Sequence, residues 1–225
     1  MWDTIFPKFI VKGYQCILID LPCHGKSRFI GNNCGMQNMA KSLNNLLNQL
    51  NILDHIDVIG HSMGGYVGLE LSQLRSVDLI LLHSNFWADS ESKKIDRNRV
   101  INIVEKGKKK FIQEAIPNLF APANPEKFAS IISQFIDKAL EKPQKEIQAA
   151  TAGMGDRKAF NSMSETTFSS VHGAVDTIIS KERVMKELKT VDTNKRLITI
   201  QNVGHMSIWE DEAALIKALK SLLIP

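Results

Sequence analysis

Cysteine is scarce in this chain. Its 225 residues include three, Cys16, Cys23 and Cys34, an odd number without the spacing of a metal-ligand set. That usage argues against a disulfide framework and fits a reduced, intracellular protein. Long apolar runs are also lacking. The one near the N-terminus is broken by Lys8 and Lys12, so it does not read as a signal peptide, and no stretch approaches the ~18 apolar residues of a membrane span. Charge of one sign is in short supply. Twenty-eight Lys and Arg against 24 Asp and Glu leave a net +4, without the dense basic stripe of a nucleic-acid binder. The tightest basic cluster, Lys106, Lys108, Lys109 and Lys110, reads as a solvated face. Internal repeats and low-complexity tracts are missing as well. The expectation is a cytoplasmic protein, with a small molecule as its partner rather than nucleic acid or membrane. The apolar fraction of 44% is that of an ordinary globular chain, and the length suits one domain or one domain with an insertion.

What is present is concentrated at Asp57-Val58-Ile59-Gly60-His61-Ser62-Met63-Gly64-Gly65. A short apolar strand runs into a serine flanked by glycines, and a helix-prone run (66–74) follows. A serine on so sharp a strand-to-helix turn needs small residues two positions before and after it, which assigns that duty to Gly60 and Gly64. The turn lifts the hydroxyl above the sheet, and the helix N-terminus aims backbone N–H groups at a developing oxyanion.

Around this motif strands and helices alternate. Residues 14–20 (YQCILID) read as a buried strand ending in a turn, with Asp20 as a turn-stabilising carboxylate. Met39, Leu43, Leu46, Leu47 and Leu50 repeat at helical spacing. Residues 77–82 form a strand whose only polar member is Asp78, as expected of burial on both faces. From 86 to 165 the pattern turns helical, with helices over 92–106, 109–116 and 125–141. A strand over 166–172, a helix over 181–189, a strand over 196–201 and a final helix over 210–223 complete the chain. This is an α/β protein with a mostly parallel sheet and helices on both faces. Its core comprises residues 1–85 and 166–225, and residues 86–165 form a helical cap insertion.

An activated serine needs a base, and the base needs an orienting carboxylate. In open α/β sheets the ligand site lies beyond the carboxyl ends of the strands. Asp176 and His205 each follow a strand, and Asp57, Asp78 and His55 stand at the wrong end of theirs. The candidate order is therefore Ser62, Asp176, His205. Met63 would donate its N–H to the oxyanion. His83 and Ser84, at the correct edge, are candidate pocket residues. His61 and His172 read as structural, His172 bracing the acid loop. No metal or cofactor is called for.

These motifs resemble the α/β-hydrolase fold superfamily, in its branch of small serine hydrolases with a helical cap. Gly60-His61-Ser62-Met63-Gly64-Gly65 resembles the nucleophile elbow. Asp20-Leu21-Pro22-Cys23-His24-Gly25-Lys26-Ser27 resembles a D-x-P-G-x-G-x-S turn, with Cys23 where glycine is usual. Gly173-Ala174-Val175-Asp176 and Gly204-His205-Met206 resemble the acid and histidine loops. The likeness implies ester or related acyl hydrolysis of a small, partly apolar substrate. The alternatives are carbon–carbon bond cleavage on the same triad or a non-catalytic homologue. A serine at the elbow argues against dehalogenase or epoxide-hydrolase chemistry, which uses aspartate there. The family also places a strand and a His-Gly oxyanion loop upstream of a helix that Met1-Trp2-Asp3 resembles. The resemblance therefore implies an N-terminally truncated chain, with its missing strand between those ending at Asp20 and His61.

Overall fold

The structure is a computed structural model that describes all residues except 12, 123–125, 161–167, 191–194 and 224–225. Its centre is a parallel sheet of β1 (Ile56–His61), β2 (Val77–Leu82), β3 (Phe168–Gly173) and β4 (Lys195–Ile200), in that spatial order. Strand order thus follows chain order. Each connection must cross a face of the sheet, and the helices do so. Among the described residues the helices are α1 (Pro7–Ile10), α2 (Met36–Gln49), α3 (Met63–Leu71), α4 (Glu91–Ala115), α5 (Ala129–Leu140), α6 (Gln144–Gly155), α7 (Lys181–Leu188), α8 (Ser207–Glu210) and α9 (Glu212–Leu222), of which α3, α4 to α6 and α7 lie in the connections between strands.

The two faces follow from the period of a strand. In β2, Leu79 and Leu81 enter a core with Met39 and Leu47 of α2, Val67, Leu69 and Leu71 of α3, and Val184 and Leu188 of α7. Ile80 and Leu82 point the other way, into a core with Val171, Ile200, Leu215 and Leu219 of α9, and Ile5 and Phe9. A third cluster, Phe120, Phe128, Ile132 and Met206, joins the helical segment to the loop after β4.

The expected strand over residues 14–20 is not part of the sheet. The sheet order ends at β1, and no described residue pairs with β1's outer side. Without a neighbour to supply ladder hydrogen bonds, the segment has no strand geometry, and Ile17 and Leu18 are 45% and 44% exposed rather than buried. Asp20 does hold the following turn, because its carboxylate accepts from Lys26 N–H at 2.8 Å.

Three helices of the segment between β2 and β3 need comment. The two helices expected over 92–106 and 109–116 form one element, α4, broken at Gly107 (φ −161°, ψ 54°). The third expected helix is α5. Pro125, where it was expected to start, and residues 166–167 of the following strand lie outside the described residues. Helix α6 was not foreseen. Six of its residues are buried, including Glu146, which leaves no clean apolar stripe to find by periodicity. The segment is anchored by a buried ion cluster. Asp89 meets Arg157 at 2.7 Å and also pairs with Arg97, while the Arg157 guanidinium lies 4.0 Å from the Tyr66 ring centroid. Burial opposes the Asp89 charge, but hydrogen bonds from Arg97 and Arg157 win and hold its carboxyl below the usual range. Its contribution to stability is therefore complete above an ordinary aspartate pKa and is lost as the pH falls through the depressed one.

Candidate active site

The turn between β1 and α3 presents the serine. Ser62 sits at φ 51°, ψ −117°, a conformation that costs a non-glycine residue of order 1–3 kcal/mol and persists only where the surroundings impose it. They do so here. Ser62 N–H donates to Leu82 O at 2.9 Å, and Ser84 Oγ donates to Ser62 O at 2.7 Å. The crossing of strand and helix is tight. A Cβ on Gly60 would stand 2.5 Å from Gly64 O, and one on Gly65 would stand 2.2 Å from Ser84 Oγ. A Cβ on Gly64 would meet nothing within 4 Å. The steric duty expected of Gly64 therefore belongs to Gly65, because helix α3 leaves the turn with position 65 facing β2. Gly65→Ala is expected to displace Ser84 and lower the melting temperature by several degrees. Gly64→Ala should leave it unchanged or slightly raised, and thermal melts of the two variants check this.

Ser62 and the two candidate partners converge. His205 Nε2 lies 2.9 Å from Ser62 Oγ, and His205 Nδ1 lies 2.8 Å from Asp176 Oδ2. Each partner sits just past the carboxyl end of its strand, Asp176 after β3 and His205 after β4. Adjacent parallel strands bring the two loops together: Ala174 N–H donates to Ile200 O and Val175 N–H to Val203 O. Asp176 Oδ1 accepts from the N–H groups of Ile178 and Ile179 at 2.8 and 3.0 Å. Burial opposes the charge on Asp176, but the hydrogen bonds from His205 and His83 outweigh it and hold the carboxyl far below its ordinary range. Ser62 is half-buried, whereas His205 is 3% exposed. Met63 opens α3, so its N–H is among those the helix itself leaves without an intrahelical partner.

The expected pocket residues lie elsewhere. His83 and Ser84 are 0% and 1% exposed and face inward. Ser84 braces the elbow. His83 Nδ1 lies 3.0 Å from Asp176 Oδ2 and its Nε2 lies 2.8 Å from Ser207 Oγ. Sequence position placed both at the right edge of the sheet, but the chain turns at His83, which takes φ 47° and sends both side chains down rather than out. His61 Nε2 donates to His205 O at 2.9 Å, fixing the histidine loop from behind the serine. Burial, then the imidazoles of His205 and His83, keep His61 well below the usual histidine range. Burial likewise pushes His172 down to about 3. His83, His172 and Asp176 bring potential ligand atoms within 4.8 Å of one another. The Asp176 oxygens already accept four N–H groups, filling the capacity of a carboxylate, so hydrogen bonding accounts for the Asp176–His83 pair.

In the sequence pattern Glu210 stands at the start of the last helix, and nothing there marks it as a site residue. It is 9% exposed, and its carboxylate accepts from Ala121, Gly204 and Met206 N–H at 2.8, 3.0 and 2.9 Å. It thereby clamps both sides of His205 to the helical segment, and His205 N–H itself donates to Leu119 O at 2.9 Å. A carboxylate within six residues of a glycine–histidine loop was the only available signal, and short acidic helix starts are too common to single it out. On the other flank Cys23 takes φ 72°, a left-handed conformation that explains why glycine suits that position better. Glu146 of α6 accepts from Phe29 N–H at 3.1 Å and so ties the helical segment to the region after the turn at Asp20.

A family model described as alpha/beta hydrolase fold matches residues 1–81. Among solved structures, a thermophilic esterase from Thermogutta terrifontis is 25% identical, with a TM-score of 0.81 over 90% of this chain and 76% of that one. The chain has the α/β-hydrolase fold. A hydrolase from Pseudomonas aeruginosa PA01 superposes on 100% of this chain and 85% of its own length, with a TM-score of 0.88 at 20% identity. An esterase from Exiguobacterium antarcticum superposes over 98% and 85%, with a TM-score of 0.85 at 17% identity. No curated protein matches the chain. Identities this low carry the fold and leave substrate choice to the residues of the site.

Proposed function

We propose that this α/β-hydrolase is a serine hydrolase that cleaves an ester or similar acyl bond of a small, partly apolar molecule. The observation that carries the reading is the unbroken hydrogen-bonded line from Ser62 through His205 to Asp176, at 2.9 and 2.8 Å. In it Ser62 Oγ attacks the acyl carbonyl while His205 Nε2 takes the proton. Asp176 holds His205 in the Nδ1–H tautomer and stabilises the imidazolium that forms. The negative charge on the carbonyl oxygen is met by Met63 N–H at the positive end of α3. His205 then returns its proton to the leaving group, and water, activated by the same imidazole, releases the acid.

The helices of residues 86–160 are assigned the role of a roof. They are tied to the loop of His205 through Phe120, Ala121 and Leu119, and to the region beyond Asp20 through Glu146. The loop of His205 belongs to the end of the sheet where Ser62 stands. The rings of Phe120, Phe128, Phe135 and Trp209 pack on one another and hold this roof to the loop of His205. The same reading makes the natural substrate a small molecule, and the described helices include none long and apolar enough to cross a membrane.

A panel of p-nitrophenyl esters of increasing acyl length tests the reading. Saturable turnover of short to medium esters is expected, and a folded protein that turns over none of them contradicts it. Asp176→Asn is expected to lower kcat by about 10⁴ by removing the carboxylate that selects the His205 tautomer. Asp176 is held ionised far into acid, so its own titration does not shape the rate profile near neutral pH.

A further inference from the structure

His83 is a buried histidine for which the three-residue account has no use. It lies just past the end of β2, at the same edge of the sheet as Asp176 and His205, and its imidazole is 5.5 Å from that of His205 between ring centroids. Two of its contacts decide its protonation. Nδ1 lies 3.0 Å from Asp176 Oδ2, and a bare nitrogen cannot face a carboxylate oxygen at that range without repulsion, so Nδ1 carries the hydrogen and donates. Nε2 is then the acceptor and takes the hydroxyl hydrogen of Ser207 at 2.8 Å. A second N–H, that of Gly173, lies 3.4 Å from Nδ1, too long to compete. The result is a five-membered line, Ser207 to His83 to Asp176 to His205 to Ser62, in which Asp176 Oδ2 accepts from two imidazoles at once.

We infer that His83 is a positioning residue: a second imidazole that shares Asp176 Oδ2 with His205 and sets how strongly the acid holds the base. This rests on the proposed roles of Ser62 and His205. The physics is competition for one oxygen. Each donor to a carboxylate lowers its basicity, so the Nδ1–H of His83 weakens what Asp176 offers the His205 imidazolium. The hydroxyl of Ser207 on Nε2 draws electron density from the ring and strengthens the Nδ1–H donor, and such chains reinforce along their length. His83 also pins the carboxylate plane, with Oδ1 already taken by Ile178 and Ile179 N–H.

The groups that face this pair are Asp176 from the loop after β3, His61 from the end of β1, His172 from β3, and Glu210 from α8. His61 and His172 stay neutral through the working range because burial suppresses their protonation. Neither of them therefore contributes a titration to the rate profile near neutral pH. Loss of the His83 donor leaves Asp176 wholly to His205, the imidazolium is better stabilised, and the base titrates at a higher pH.

Two measurements test the inference. The first needs no substrate. In the protein labelled with ¹⁵N-histidine, two-bond correlations are expected to show His83 protonated at Nδ1 and bare at Nε2 from neutral to mildly alkaline pH. Protonation at Nε2 instead overturns the proposal. The second is the pH dependence of kcat/KM for an ester substrate. His83→Leu should move the acid limb upward by about half a unit to one unit. His83→Asn places an amide N–H where Nδ1–H stood, tolerates the positive φ of this position, and should keep the wild-type profile. If the His83→Leu protein does not fold, Ser207→Ala must shift the limb in the same direction. A limb that stays put in the folded variants, with only the melting temperature lowered, reduces His83 to packing and overturns the inference. If the wild-type protein hydrolyses no ester, it is the hydrolase reading that fails, and the tautomer of His83 still decides this one.

Discussion

Ser62→Ala is expected to remove ester hydrolysis almost completely, with kcat falling by about 10⁶ and the melting temperature little changed. The magnitude follows from the shared task of the line. Without the Oγ at 2.9 Å from His205 Nε2, the imidazole has nothing to activate and Asp176 nothing to orient, so removing the nucleophile costs about as much as removing all three. The fold should tolerate the change. Ser62 N–H and O keep their bonds to Leu82 and Ser84, and alanine gives up only a half-buried hydroxyl. The strained φ of 51° remains, because the crossing of β1 and α3 imposes it rather than the side chain. Initial rates with the best ester of the panel, beside thermal melts of the same samples, measure both halves of the expectation. A variant with a tenth of the wild-type rate contradicts the assignment of the nucleophile.

Glu210→Ala is expected to damage stability and activity together. Its carboxylate accepts three backbone N–H groups, from Ala121, Gly204 and Met206, and all three bonds are buried. Charge-assisted bonds of this kind contribute about 1.5–3 kcal/mol each, and their loss leaves three donors without water or partner. Even with partial relaxation the cost is of order 3–5 kcal/mol, which for a chain of this length lowers the melting temperature by roughly 10 °C. The same bonds flank His205, so its imidazole loses its fixed approach to Ser62, and kcat should fall by about 10² from that displacement alone. Glu210→Gln keeps one acceptor oxygen and should fall between wild type and alanine on both scales. Melts and kcat for the two variants check the order, and a Glu210→Ala protein as stable and active as wild type would show that the loop is held by other means.

How legible the molecule was in its sequence depended on whether a residue's role is local. The elbow is local: strand, turn and helix lie within about fifteen residues, and the strained Ser62 and tight Gly60 are consequences of that short stretch. Even so, Gly64 and Gly65 could not be told apart, because the difference depends on Ser84, which β2 brings alongside from twenty residues away. Asp176 and His205 were legible through the rule that sites lie past the carboxyl ends of parallel strands, which needs topology and no contact list. Residues 14–20 failed for the opposite reason. An apolar run of strand-forming residues records a preference for a sheet, but a strand exists only beside a partner, and none of the described residues supplies one. His83 and Glu210 were beyond reach. Their roles lie in hydrogen bonds to residues 93 and 89 positions away, and nothing in their neighbours along the chain announces it. Helix α6 was missed because buried helices lose the polar face that makes periodicity visible.

The most direct test of the account is covalent. A fluorophosphonate reports whether a serine hydroxyl is activated by a neighbouring base, and it needs no knowledge of the natural substrate. Incubated with the folded protein, it should add a single mass, tryptic mapping should place it on Ser62, and both Ser62→Ala and His205→Ala should abolish it. A folded protein that stays unlabelled, or an adduct that persists in Ser62→Ala, would contradict the claim that residues 62, 176 and 205 act as one catalytic unit.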